Sequence, residues 1–172
     1  PSKALLHLAK VIGDAMDLKK TGVIFPDPEL DLNAIRFWKE SVISKLSKGI
    51  GQLAKARNVK VIQGLATFDS PTQLSITSED SQQTLTFENC IIGTGSVAAG
   101  IPGFPTDHPR IINSTGALKL QNIPKRLLII GGGYIGLEMG SVYNALGSQV
   151  TVVEFMPFLL PGADEDLVKP LA

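Results

Sequence analysis

The stretch LLIIGGGYIGLEMGSVYNALGSQVTVVE, residues 127–154, decides the fold. Leu127 to Ile130 form an apolar run with the character of a buried strand. Gly131, Gly133 and Gly136 follow at the spacing G-x-G-x-x-G, and they open a segment with helical character. A second β-rich run, SQVTVVE, ends on Glu154, 18 residues beyond Gly136. The glycine pattern alone is weak. Strand, glycine turn, helix, strand and a terminal carboxylate in that order make it strong, and together they read as the first βαβ unit of a dinucleotide-binding fold. In such a unit the first glycine permits the tight turn, the second lets a pyrophosphate approach the backbone, and the third lets the helix pack on the strand. Amides at the helix N-terminus favour the phosphate charge, and Glu154 can accept both hydroxyls of a ribose. No basic residue occurs between Phe155 and Val168, so a 2′-phosphate has no partner there and NAD is preferred over NADP.

Upstream, two helices are expected. Pro1 and Ser2 read as a first helical turn, and Leu5, Leu8, Ile12 and Met16 recur behind them at helical spacing. Asp31 is placed to cap a second, longer helix whose apolar stripe runs through Ile35, Trp38, Val42, Leu46, Ile50 and Leu53. Core packing is the expectation for that stripe, with a dimer contact as the lesser alternative. The period then changes to that of strands over 59–68, 72–78 and 83–89, with the polar EDSQQ between the last two as a hairpin turn. CIIGTGS, residues 90–96, reads as a short buried strand. The Pro/Gly-rich VAAGIPGFPTDHPR after it reads as a domain boundary. The boundaries so read are 1–104, a connector over 105–125, and 126–172.

Composition excludes several classes of function. Sixteen basic residues balance sixteen acidic ones, so no electrostatic case exists for a nucleic-acid or membrane partner. The apolar runs are too short to span a bilayer, and no secretory signal pattern occurs. Cys90 is the single cysteine, which rules out an intrachain disulfide; flanked by isoleucines, it is expected to be buried and inert. His7 and His108 lack the carboxylate arrangement of a general base and are expected to be structural or surface residues. By itself Glu138, two residues past the last glycine, reads as a solvated or helix-stabilising charge.

The stretches PSKALLHLAKVI, VIQGLATF, CIIGTGS, STGAL and LLIIGGGYIGLEMGSVYNALGSQVTVVE resemble, in order and spacing, the dihydrolipoamide dehydrogenases. These are flavin disulfide reductases of the pyridine nucleotide-disulfide oxidoreductase family. The resemblance covers essentially the whole chain. It implies an α/β architecture: a Rossmann-like FAD-binding domain whose N-terminal part lies outside the 172 residues, then the first βαβ of an NAD-binding Rossmann domain. The family's C-x-x-x-x-C redox pair, its first glycine fingerprint and its His-Glu catalytic pair are not among these residues. The chain therefore resembles an internal fragment, and it is expected to be inactive alone.

Further implications attach to residues one by one. Lys3 matches the lysine beside flavin N5 and would form a buried ion pair with Glu138, its positive charge favouring reduced flavin. Ala66 matches a position whose backbone meets the FAD adenine. Thr94, Gly95 and Ser96 match the turn that closes over the flavin nucleotide. Gly131, Gly132, Gly133, Tyr134, Ile135, Gly136, Leu137 and Glu138, with Glu154, match the NAD site. Tyr134 departs from the aliphatic residue frequent there and is similar to the tyrosine of glutathione reductases; it either stacks at the nicotinamide or faces solvent. The resemblance also implies FAD and NAD as cofactors, the E2 component and lipoyl domains of 2-oxoacid dehydrogenase complexes as partners, a homodimer when intact, and a cytoplasmic location. The alternatives are another flavin disulfide reductase, for glutathione or mercuric ion, and a non-catalytic nucleotide-binding or antigenic module.

Overall fold

A computed structural model describes residues 1–105 and 107–171. Its contacts divide the chain into two compact units, Pro1–Leu46 with Ala98–Ala172, and Ser47–Val97.

The first unit opens with helix α1, Ser2–Asp17, directly behind Pro1. Helix α2, Leu32–Ala56, begins where Asp31 predicts. The Asp31 carboxylate accepts the amides of Asn33 at 2.9 Å and Ala34 at 3.0 Å, two of the donors a helix start leaves unpaired. The three strands that follow in the chain belong to the other unit. A short helix α3, Ser114–Lys119, lies within the segment 105–125 read as a connector, capped by Asn113, whose Oδ1 accepts from the Gly116 amide. At six residues it is too short to leave a periodic signal. Strand β4, Arg126–Ile130, helix α4, Tyr134–Ala145, and strand β5, Gln149–Val153, form the expected βαβ unit. β4 and β5 are parallel, in register from Arg126 opposite Gln149 to Ile130 opposite Val153. A four-residue helix α5, Glu165–Val168, closes the described chain.

α1 and α4 share the core. Leu5 and Ala9 meet Met139, Val142, Tyr143 and Leu146, with Leu120 from the end of α3 among them. Leu5, Leu120 and Val142 are fully enclosed, each contributing about 1.5–3 kcal/mol by burial. α4 also packs on the β4–β5 sheet, Gly140 facing Ile129 and Val150. The residues between, Leu128, Ile130 and Val153, remain exposed.

The second unit is an antiparallel meander: β1, Leu65–Ser70, β2, Gln73–Thr77, and β3, Gln82–Thr86. Ala66 pairs with Ile76 and Leu74 with Leu85. The hairpin closes where Ser78 donates its amide to the Ser81 carbonyl at 2.8 Å. The strand expected over 59–68 starts only at Leu65, because the Val59 amide still bonds back to Ala54 at the end of α2.

Three expectations are overturned. CIIGTGS forms no strand: 90–96 is irregular and Ile91 is 96% exposed. An apolar strand needs hydrogen-bonded neighbours on both edges, and no described strand pairs with it. Cys90 is exposed for the same reason. The α2 stripe is no core element, either. Ile35 packs against the core and Val42 is half-buried, but Trp38, Leu46, Ile50 and Leu53 are exposed.

Candidate functional site

The glycine turn has the geometry its sequence requires. Gly131 sits at φ +107°, where a side chain would be strained, and its amide donates to the Val153 carbonyl at 2.8 Å, tying the turn to the end of β5. At Gly136 a β-carbon would lie 2.2 Å from the Gly131 carbonyl oxygen and 3.1 Å from Ile129 Cγ2, so only glycine lets α4 approach β4. Gly133 is the N-cap of α4 and donates no side-chain cap, and a β-carbon on it would meet nothing within 4 Å. The helix start is therefore open, and its first turn carries no acidic residue to repel a phosphate.

Glu154 stands beside this opening. Its Oε2 accepts the Gly132 amide at 2.6 Å and its Oε1 accepts the Met156 amide at 2.8 Å. The Met156 and Gly132 amides hold its carboxyl below the usual glutamate range, so it is an anion at neutral pH. The Gly132 carbonyl in turn accepts the Leu160 amide at 2.9 Å, drawing the segment after β5 against the turn. An open helix N-terminus beside an ionised carboxylate fits a pyrophosphate joined to a ribose.

Lys3 and Glu138, 135 positions apart, meet: Lys3 Nζ lies 2.5 Å from Glu138 Oε1. α1 brings the lysine and the second turn of α4 brings the carboxylate, because Leu5 and Ala9 pack against Met139 and Val142. The pair is not buried as expected. The lysine side chain is 82% exposed and the glutamate 26%. Nothing among the described residues covers the ammonium, so its attraction to Glu138 is screened by water.

The remaining site residues are distributed unevenly. Tyr134 is 70% exposed, its ring directed to solvent, and Ile135 beside it is exposed too. Leu137 closes the first turn of α4 through its amide to the Gly133 carbonyl at 3.0 Å. Ala66, in β1, and Thr94, Gly95 and Ser96, in an irregular exposed segment with Gly95 at φ +76°, all belong to the second unit. His7 and His108 are exposed; the His108 Nδ1 accepts the Arg110 amide at 3.2 Å. Among the described residues no group of three His, Cys, Asp or Glu could hold a metal, and no helix is long and apolar enough to cross a membrane.

Sequence reasoning passed over Arg36, Lys39 and Tyr143. Arg36 and Lys39 lie on one face of α2, three residues apart, and bond to carbonyls at the end of α3. Tyr143 bonds to α3 from α4. The i, i+3 cations gave the only signal, and their partners lie 79 to 85 residues away in the chain.

The pattern of the pyridine nucleotide-disulphide oxidoreductases matches residues 1–172. The chain belongs to this family. It is 51% identical over 169 residues to a dihydrolipoyl dehydrogenase of Haemophilus influenzae, covering 98% of this chain and 35% of that protein. To a dihydrolipoyl dehydrogenase of Vibrio cholerae it is 46% identical over 169 residues, 98% of this chain and 36% of the relative. Among solved structures, a Cu(II) complex of the HOCl-induced flavoprotein disulfide reductase RclA from Escherichia coli is 30% identical. It superposes with a TM-score of 0.78 over 100% of this chain and 36% of that one. LpdA from Mycobacterium tuberculosis, 23% identical, shares the fold with a TM-score of 0.83 over 99% of this chain and 38% of its own. The family member described here thus spans about a third of the length of these relatives, and its fold class is the α/β, Rossmann-type architecture of the flavoprotein disulfide reductases.

Proposed function

We propose that the chain is a segment of an FAD- and NAD-dependent dihydrolipoyl dehydrogenase, which oxidises dihydrolipoyl groups to lipoyl groups. The observation that carries this reading is the contact between Lys3 and Glu138 at 2.5 Å, on helices that begin beside the chain start and beside the glycine turn. When bound, FAD accepts the electrons of a thiol pair and NAD takes them up as hydride.

The chain's own residues have separable tasks. Glu138 holds the Lys3 ammonium in one position, from which it can face a flavin ring and favour its electron-rich form. The amides at the start of α4 receive a pyrophosphate in the space beside Gly133, and Glu154 accepts the ribose hydroxyls while rejecting a 2′-phosphate. Fixing both groups relative to each other supplies orientation, not proton transfer. Ala66, Thr94, Gly95 and Ser96 are assigned to FAD on the family resemblance. The functional boundaries 1–104, 105–125 and 126–172 belong to the same proposal. So do a homodimer, the E2 component and lipoyl domains as partners, and a cytoplasmic location.

The test is an assay of the full-length flavoprotein carrying this segment. NAD-linked oxidation of dihydrolipoamide, with little reduction of glutathione disulfide or mercuric ion, supports the reading. The reverse preference assigns the protein to a sister reductase, for which Tyr134 is the one favourable residue. Residues 1–172 alone are expected to show no lipoamide turnover.

A further inference from the structure

α2 buries one residue, and that residue is a lysine. Lys39 is 4% exposed; its Nζ donates to the Leu118 carbonyl at 2.7 Å and lies 2.9 Å from the Glu40 carboxylate. One turn earlier Arg36 donates Nη1 to the carbonyls of Leu120 at 2.9 Å and Gln121 at 3.0 Å, and Nη2 to Asn33 Oδ1. From α4, the Tyr143 hydroxyl donates to the Ala117 carbonyl at 3.0 Å. The carbonyls of 117, 118, 120 and 121 are therefore held by side chains of two other helices. Carbonyls at a helix end have no partner within the helix, and a cation is favoured beside them. A short helix such as α3 contributes little stability of its own, so its place is set by these bonds.

A buried ammonium is costly, and an apolar side chain at 39 would avoid that cost at the loss of direction. We infer that Lys39 is a positioning residue for the nucleotide site: it clamps α3 to α2 and, through Tyr143, fixes α4 and the glycine turn at its start. The chain of contacts is continuous. Lys39 holds Leu118, Ala117 lies next to it and is held by Tyr143, and Tyr143 lies nine residues along α4 from Tyr134, just behind the turn. Without the ammonium the Leu118 carbonyl loses its donor and Glu40 its cation, and of these side chains of α2 Arg36 alone then ties the end of α3, to which Tyr143 of α4 is bonded.

The inference rests on the proposed dinucleotide function, and the experiment separates the two. In the full-length flavoprotein, K39M is compared with K39R, Y143F and the double variant K39M/Y143F. The readouts are KM for NAD, FAD content, and the rate of flavin reduction by dihydrolipoamide without NAD. Loss of the clamp is expected to raise KM for NAD about five- to tenfold in K39M, the scale of one lost hydrogen bond. FAD content and flavin reduction should stay within about twofold. K39R, which can still donate to Leu118, should restore KM. Because Lys39 and Tyr143 act on one bridge, the double variant should raise KM by less than the product of the two single effects. Unchanged KM in K39M, fully multiplicative effects, or equal loss of FAD and flavin reduction overturns the inference. If K39M fails to fold, Y143F decides: a KM equal to wild type overturns it. A wild-type protein without NAD-linked turnover refutes the underlying function before any variant is made.

Discussion

Replacing Gly136 by alanine places a methyl carbon 2.2 Å from the Gly131 carbonyl oxygen. β-Carbon contacts under 3.0 Å are essentially unseen, so α4 and the turn must part by about 0.8 Å, the difference between those two distances. The obstacle is backbone and cannot rotate aside, because the Gly131 amide is bonded to Val153. The displaced helix carries Met139, Val142 and Tyr143 into the core, so their packing against Leu5 and Ala9 loosens with it. Overpacking of this kind costs about 1–3 kcal/mol, and the clash with fixed backbone puts the cost at the upper end. Alanine's better helix propensity returns at most about 1 kcal/mol, leaving a net loss near 2 kcal/mol. Gly133 to alanine is the control. Its β-carbon meets nothing within 4 Å, and φ −75° with ψ 174° suits any residue. Stability should then stay within about 0.5 kcal/mol, while the methyl occupies the space proposed for the pyrophosphate. Thermal or urea unfolding and calorimetric NAD titration of the full-length protein read the two effects separately. Gly136→Ala should lower stability, whereas Gly133→Ala should lower NAD affinity at least about tenfold, a loss near 1.4 kcal/mol. A Gly136→Ala protein as stable as wild type, or a Gly133→Ala protein binding NAD normally, would refute the reasoning.

Other outcomes follow from the same structure. Glu138→Gln should leave unfolding within about 0.5 kcal/mol of wild type, because the pair is solvent-screened, yet shift the bound flavin's potential; an unchanged potential argues against a flavin role for Lys3. Glu154 has a depressed carboxyl pKa in the fold, so its contribution to stability is complete above the unfolded value and is lost as pH falls through the folded one. Stability between about pH 5 and 3 should therefore fall less steeply in Glu154→Gln than in wild type, and identical acid limbs would count against the amide bonds to Gly132 and Met156. Asp31→Ala removes the cap on two α2 amides and should cost about 0.5–2 kcal/mol in denaturant unfolding, with glycine at the same position costing less.

The α/β class, the βαβ unit and the cap at Asp31 were legible in the sequence because each is a local rule. Period, glycine spacing and capping chemistry act over a few residues, and the structure keeps them where they were read. Glu154 was legible as the strand-end carboxylate, and the three meander strands through their β-rich composition. CIIGTGS and the α2 stripe were not. An apolar run states only that burial is favourable, whereas burial depends on neighbours, and 90–96 has no strand beside it among the described residues. The resemblance to the dihydrolipoamide dehydrogenases pointed to Lys3 and Glu138 as partners. Their actual exposure, and the distance between them, came only from the packing of α1 on α4. Lys39 is the clearest case of tertiary control. On a helix face its spacing gives no warning of burial, since the carbonyl that accepts its hydrogen bond lies 79 residues away on α3. What the sequence by itself determined is where the chain turns and coils; what only the tertiary structure decided is which charges are brought together and which are left to water, because that depends on contacts between segments far apart in the chain.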